Sequence, residues 1–350
     1  MKTLWYYSFR ILVKTALFFY IKRIKVEGKE HIPQKGAVLF TVNHPNALID
    51  PLLVATTNRR MQHFLVRAAS FKNPTIKKLL ATLNLMPIYR IRDGVKELAK
   101  NEAIFDQCFS IFKKGQALMI FPEGSHNIKR TIRPISKGFT RIVFGAIDRY
   151  PDLKITIIPV GITYQNPSEY PTSVSIKYGT PIIANDHYDI NNIPAATLSL
   201  RTQVREQLKK MVVHIPNNEK YQDVLDQLNN AHTDYTEVAN VNSIISDGTI
   251  TSKTKKYHYF LPLKILIVLN SLLPWLLWKH IAKKVDEIEF VDTFRFGINV
   301  VTFPLFYGIQ TWIVSLLFGW KIGLIYLGTS LVLLLIYTKF ESIPPKSIPE

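Results

Sequence analysis

The chain has 350 residues, with 44 Lys and Arg against 26 Asp and Glu and a formal net charge of +18 at pH 7. That length holds one sizeable α/β domain plus accessory segments, and the positive excess calls for an anionic partner, either nucleic acid or a membrane surface. The single cysteine, Cys108, excludes an intrachain disulfide framework and a cysteine-based zinc cluster, which suits a reducing, cytosol-facing compartment.

The amino terminus decides between the two partners. Lys2, Arg10, Lys14, Lys22, Arg23 and Lys25 are interleaved with Leu, Trp, Tyr, Phe and Ile, the pattern of a helix lying on anionic lipid. Residues 1–30 are therefore expected to be an amphipathic membrane-anchoring segment, and no nucleic-acid partner is expected. Arg10 and Lys14 interrupt the apolar core and no small-residue cleavage site follows, which argues against a signal peptide. Ala16 to Ile21 is too short to span a bilayer.

From residue 31 to 215 strands and helices alternate. Strands are expected at 37–42, 62–67, 85–90, 116–121 and 155–162, with helices at about 50–58, 73–82, 95–113 and 137–147 between them. Such alternation predicts an α/β fold, a mainly parallel sheet covered by helices. In the longest helix Val95, Leu98, Phe105, Phe109 and Phe112 fall at helical spacing, a stripe that faces the sheet and takes Cys108 into the core. Ala195 to Val213 reads as a further amphipathic helix. Residues 216–258 read as a helix, Glu219 to Ala231, and a polar linker rich in Asn, Ser, Thr and Asp, His232 to Thr254.

Residues 259–350 read as a membrane region. Gly297 to Phe318 and Ile322 to Tyr337 are nearly uncharged runs of spanning length joined by Gly319-Trp320-Lys321, a transmembrane helical hairpin. Phe260 to Trp278 is apolar too, but Pro262, Lys264, Asn270 and Pro274 argue against a straight span and for an interfacial or re-entrant segment. Two spans return Lys339 and Lys346 to the side of Lys279, Lys283 and Lys284, with Lys321 opposite, as the positive-inside rule favours. A transporter would need many more spans.

The chemistry-bearing residues stand at strand ends. His44 closes the apolar run 37–42, at the carboxyl edge where α/β proteins place ligands. Asp50 precedes Pro51 and an apolar helix start, so its carboxylate can turn back toward His44. It would then orient the ring and favour the imidazolium formed on taking a proton. Taken alone, Asp50-Pro51 would also serve as an ordinary helix cap followed by Pro at the first helical position. Arg90 ends Pro87-Ile88-Tyr89-Arg90, with Arg92 and Asp93 beyond. Phe121-Pro122-Glu123-Gly124-Ser125 follows the next strand, and Ile157 to Gly161 is a central apolar run.

Taken together and in this order, these segments resemble the glycerolipid acyltransferase family over about residues 30 to 215. The family moves a fatty acyl group from acyl-CoA or acyl-carrier protein onto glycerol 3-phosphate or its 1-acyl derivative. The resemblance implies that His44 is the catalytic base and Asp50 its partner, with one residue more between them than the family usually has. A loop ahead of a helix absorbs one residue. It makes Arg90 a ligand for the acceptor's phosphate, for which a planar guanidinium is suited. Arg92 is the weaker bet for that role. Glu123 and Gly124 become acceptor-binding residues beside the base, and Lys137 a group near the phosphate. Ser125 is excluded as a nucleophile, because no Gly-x-Ser-x-Gly elbow is present and the family uses direct attack by the acceptor's hydroxyl.

The expected function is thus a membrane-bound acyltransferase of phospholipid synthesis. Its catalytic domain faces the cytosol, and it needs no metal and no tightly bound cofactor because the thioester is already activated. A nonenzymatic lipid-binding or scaffold protein is the alternative from another class. All four motifs lie before residue 162, so the carboxyl-terminal hairpin is expected to anchor the chain without entering the site.

Overall fold

The computed structural model describes residues 2–90, 94–248 and 261–341. The chain begins with α1 (Lys2–Tyr20), then β1 (Arg23–Glu27), β2 (Ala37–Val42), α2 (Ile49–Thr57), β3 (Gln62–Arg67), α3 (Pro74–Thr82) and β4 (Leu85–Ile88). It continues with α4 (Val95–Leu98), α5 (Asn101–Lys113), β5 (Ala117–Ile120), α6 (Gly138–Arg149), β6 (Ile155–Tyr164), β7 (Ser173–Tyr178), β8 (Ile182–Ile183) and α7 (Ile193–Met211). The rest is helical: α8 (Tyr221–Asn230), α9 (Val238–Asp247), α10 (Leu261–Asn270), α11 (Leu272–Ala282), α12 (Val291–Phe318) and α13 (Trp320–Phe340).

The strands make one sheet in the order β1-β7-β6-β2-β5-β3-β4, with β8 paired to β6. The five strands from β6 to β4 are parallel to one another, and β7 and β8 run antiparallel to β6. Every residue of β2 is buried, because helices cover both faces of this central strand. Ala37 and Leu39 pack into the layer that also holds Phe112, Phe139 and Leu200, from α5, α6 and α7. Val38, Phe40 and Val42 pack against Leu17 of α1 and Leu53 of α2 on the other face. Three layers result, and β2, β4, β5 and β6 all end at one edge of the sheet.

Several expectations change. Residues 1–30 are more than an anchor, since Arg23–Glu27 is an edge strand paired in parallel with β7. α1 buries Tyr6, Val13, Leu17 and Tyr20 on the fold, while Leu4, Ile11, Leu12 and Phe18 stay exposed together with Lys14. Residues 95–113 break into two helices at Ala99-Lys100, and Asn101, the first residue of α5, turns its amide onto the Tyr89 backbone just beyond β4. The stretch read as a linker contains α9. Its Val238 and Val241 join Tyr221, Leu225 and Leu228 of α8 in a small core of their own, and the overlooked signal was helical spacing of Val238, Val241, Ile244 and Ile245 among polar neighbours.

The membrane region is close to expectation. Ile288–Phe318 and Trp320–Phe340 are long and apolar enough to cross a bilayer, and the α10–α11 pair bends by 95° at Ser271, the shape of a broken span or of a re-entrant loop. Gly319, at φ 86, makes the sharp turn between α12 and α13, a backbone state that a side chain resists. Lys346 lies outside the described residues.

Candidate active site

Two asparagines finish strands that the backbone leaves short, and each sets the backbone ahead of a candidate site residue. Asn43 follows β2, and its side chain accepts from Ile162 N at 2.7 Å and donates to Ile162 O at 3.0 Å. This pairing extends the β2–β6 ladder by one residue and sets the backbone of His44. Asn101 does the same for β4: it accepts from Tyr89 N at 3.0 Å and donates to Tyr89 O at 2.8 Å. Arg90 follows directly. The expected strand 85–90 therefore ends at Ile88 in the sheet, with a side-chain clamp in place of its last pairing.

His44 Nδ1 lies 2.8 Å from Asp50 Oδ2. Donation from Nδ1 to this carboxylate fixes the tautomer and leaves Nε2 with its lone pair. The expected pairing forms because the turn at residues 45–48 takes up the additional residue before α2. Asp50 is not the helix cap. Leu48 occupies that position, whereas the Asp50 carboxylate accepts the Asn46 N–H at 2.7 Å and the Tyr164 hydroxyl at 2.7 Å. With His44 these donors make three hydrogen bonds to two oxygens, which offsets the burial of a carboxylate that is fully enclosed.

The electrostatics keep the His44 imidazole neutral. Burial, followed by the charges of His126, Arg133 and Arg90, lowers the His44 pKa from 6.5 to about 3. Burial pushes the Asp50 carboxyl up, against the pull of the Asn46 and Tyr164 hydrogen bonds. Burial and the neighbouring Asp50 push the Tyr164 phenol well up, so it remains a donor. The His44 ring also stacks on Phe121, with centroids 3.9 Å apart and planes inclined by 19°. Its carbonyl accepts from Asn127 N at 2.9 Å, which ties the turn after β2 to the turn after β5.

That second turn carries Glu123 and Gly124. Gly124 has φ 79, open to glycine and resisted by other residues. Glu123 is paired at 2.6 Å with Arg133 Nε, a partner the sequence reading overlooked. Burial raises the Glu123 pKa and Arg133 draws it down. Arg133 Nη1 also donates to Ser125 Oγ at 2.7 Å, which gives Ser125 a structural role. Lys137 is exposed at the start of α6, and its ammonium makes no hydrogen bond or ion pair among the described residues. The preceding Ser136 N–H donates to Pro122 O at 2.8 Å, so the backbone before Lys137 is tied to the Glu123 turn. Arg90 is near enough for its charge to disfavour the imidazolium of His44. Arg92 and Asp93 lie outside the described residues.

Tyr164, at the end of β6, is the second residue the sequence reading missed. Arg130 holds that end, donating to Tyr164 O and Gln165 O at 2.9 Å each while lying 3.5 Å over the Tyr235 ring. The carboxyl-terminal region also reaches the site, against the expected separation of anchor from catalytic domain. Glu287 pairs with His126 Nε2 at 2.8 Å, and Thr293 Oγ1 accepts from Leu48 N at 3.0 Å. The ligand atoms of His126, Glu287 and Glu289 lie within 4.8 Å of one another, as a cation's donors would, but the first two already pair and Glu289 accepts from Ile128 N.

Residues 23–163 match the family model described as Acyltransferase. Among curated proteins the chain is similar to glycerol-3-phosphate O-acyltransferase 1 of Saccharomyces cerevisiae, 19% identical over 47% of this chain and 32% of that protein. It is also similar to a probable 1-acyl-sn-glycerol-3-phosphate acyltransferase of Mycoplasma pneumoniae, 28% identical over 41% of this chain and 53% of that protein. The chain thus spans between about a third and a half of these relatives' lengths. Among solved structures, the 1-acyl-sn-glycerophosphate (LPA) acyltransferase PlsC of Thermotoga maritima aligns at a TM-score of 0.44 and 18% identity, over 59% of this chain and 81% of that one.

Proposed function

We propose, starting from a chain that belongs to the glycerolipid acyltransferase family through residues 23–163, that it transfers a fatty acyl group to a hydroxyl of glycerol 3-phosphate or 1-acylglycerol 3-phosphate. The observation that carries the reading is the His44–Asp50 pair, 2.8 Å apart at the carboxyl edge of a parallel sheet. The donor in this proposal is acyl-CoA or acyl-carrier protein, and the setting is phospholipid synthesis at the cytosolic face of a membrane.

The reaction is a single displacement. His44 Nε2 takes the acceptor's hydroxyl proton as the oxygen attacks the thioester carbonyl carbon. Asp50, bonded to Nδ1, holds the ring and stabilises the imidazolium that forms. Collapse of the tetrahedral adduct breaks the C–S bond, and the imidazolium returns its proton to the leaving thiolate. Arg90 grips the acceptor's phosphate through a bidentate fork, with Lys137 as a second cation. Glu123 and Gly124 shape the wall against which the glycerol sits, and the Arg133 pairing holds Glu123 in one orientation. A thioester is activated already, so neither a metal nor a bound cofactor enters the proposal.

The hairpin of α12 and α13 supports membrane attachment, and the distribution of Lys279, Lys283, Lys284 and Lys339 against Lys321 supports a cytosolic site. The test is thioester turnover by membranes carrying the chain, with glycerol 3-phosphate, 1-acylglycerol 3-phosphate or dihydroxyacetone phosphate as acceptor. Free thiol released only when an acceptor is present is the expected result, and the preferred acceptor names the substrate. Lipid binding without any thiol release would replace the reading with a nonenzymatic scaffold.

A further inference from the structure

A single short segment at the base of the first membrane helix touches both turns of the candidate site. Residues 287–295 lie outside the matched domain. Toward the Glu123 turn, Glu287 pairs with His126, Glu289 Oε1 accepts from Ile128 N at 3.3 Å, and the Phe290 ring meets His126 edge-on at 4.7 Å. Toward the His44 turn, Thr293 accepts from Leu48 N and Asp292 Oδ2 accepts from Asn46 Nδ2 at 3.2 Å.

Asp292 is completely buried. Its Oδ1 accepts from Tyr20 of α1 at 2.7 Å and from Arg295 Nη1 at 3.0 Å, and Arg295 also donates to Ser168 O at 2.9 Å. A buried carboxylate so paired has a set position, because each donor would be lost by displacement. Asn46 is likewise buried, and its amide faces two acceptors, Asp292 Oδ2 and Pro167 O at 2.8 Å. Two acceptors on the same side leave one sensible orientation for the amide. The backbone N–H of this same residue donates to Asp50 Oδ2, the oxygen that meets His44 Nδ1.

We infer that Asp292 is a positioning residue for the His44–Asp50 pair, acting through Asn46, and that the base of the membrane hairpin is thereby a working part of the active site. The inference rests on the acyl-transfer reading of that site. The carboxylate of α12 fixes the Asn46 side chain, Asn46 fixes the N–H that Asp50 accepts, and Asp50 fixes the imidazole. Tyr20 brings α1 to the same carboxylate, so both membrane-facing ends of the chain meet behind the catalytic turn.

The experiment compares full-length, membrane-inserted Asp292→Asn, Thr293→Val and Tyr307→Phe with the wild type. Tyr307→Phe is the control: it removes a 2.8 Å hydrogen bond to Ser271 inside the membrane helices, away from the site. Asp292→Asn is expected to lower kcat by about 10- to 100-fold with KM for donor and acceptor held within about threefold, since a small misplacement of a reacting group costs rate more than binding. Thr293→Val keeps the side-chain shape and is expected to lower kcat by about threefold, a result that stands even if Asp292→Asn fails to insert. Tyr307→Phe should keep kcat within about twofold.

A second readout needs no turnover. Carbethoxylation of His44 by diethyl pyrocarbonate, followed against pH by mass spectrometry of its peptide, should have its midpoint below the ordinary histidine value in the wild type and in Tyr307→Phe. The midpoint should rise toward that value in Asp292→Asn, as a loosened pair admits water. A wild type that releases no thiol with any acceptor defeats the proposed reaction, and the labelling comparison then decides the positioning role alone. Unchanged kcat and unchanged labelling in Asp292→Asn, or equal losses in Tyr307→Phe, would overturn the inference.

Discussion

Tyr164 donates its hydroxyl to Asp50 Oδ1 at 2.7 Å, joining the end of β6 to the first turn of α2 across the carboxyl edge of the sheet. Asp50 faces His44 with its other oxygen, so the phenol is the counterpart that keeps the carboxylate from rotating. Tyr164→Phe preserves the packing and removes that donor. It should lower kcat by roughly tenfold and cost about 1–3 kcal/mol of stability, the usual penalty for a buried polar group left short of a partner. Equal kcat and an unchanged melting temperature would mean that Tyr164 is only packing.

Replacement of the proposed base should have a larger consequence. His44→Ala is expected to lower kcat by about 10² to 10⁴ while folding and membrane insertion persist, because a general base contributes about that factor. Asp50→Asn should be severely impaired as well, through loss of the charge that stabilises the imidazolium. Thiol-release assays on variants normalised for membrane content make the comparison, and near-normal rates in His44→Ala would remove the mechanism.

The pH profile follows from the direction of the His44 shift. In the proposed mechanism the active form is the neutral imidazole, and a lowered pKa extends that form to lower pH. Thus kcat/KM should be flat through pH 6.5, the ordinary histidine value, and decline only on further acidification. An acid limb centred at or above the ordinary value would show that the imidazolium is not disfavoured at this site.

Arg90 is tested by a conservative change. Arg90→Lys keeps the charge and loses the planar fork, so KM for the phosphorylated acceptor should rise by about tenfold while KM for the thioester donor changes by less than about twofold. Equal rises for both substrates would point to a structural role for Arg90 at the end of the strand.

Cys108 gives a fold-level check. It is fully buried and burial pushes its thiol up to about 12, so maleimide should label it only after denaturation. Ready labelling of the native chain would contradict the packing of α5 against the sheet.

The sequence by itself determined the parallel core of the sheet, because buried strands read as short apolar runs such as Ala37 to Val42 and the helices between them carry one apolar stripe each. It also placed the candidate site residues together: His44, Arg90 and Glu123 each follow such a run, and parallel strands bring those ends to one edge. The two long apolar helices followed from hydropathy alone. Only the tertiary structure decided which distant groups complete the site. Tyr164 and Arg133 look like ordinary strand and loop residues in the sequence, and their hydrogen bonds to Asp50 and Glu123 depend on strand order and a loop path that local spacing does not encode. Asp292 is remoter still. It is 246 residues from Asn46 in the chain, and its buried charge draws its donors from α1, from α12 itself and from the turn after β2, a convergence that only the folded chain brings about.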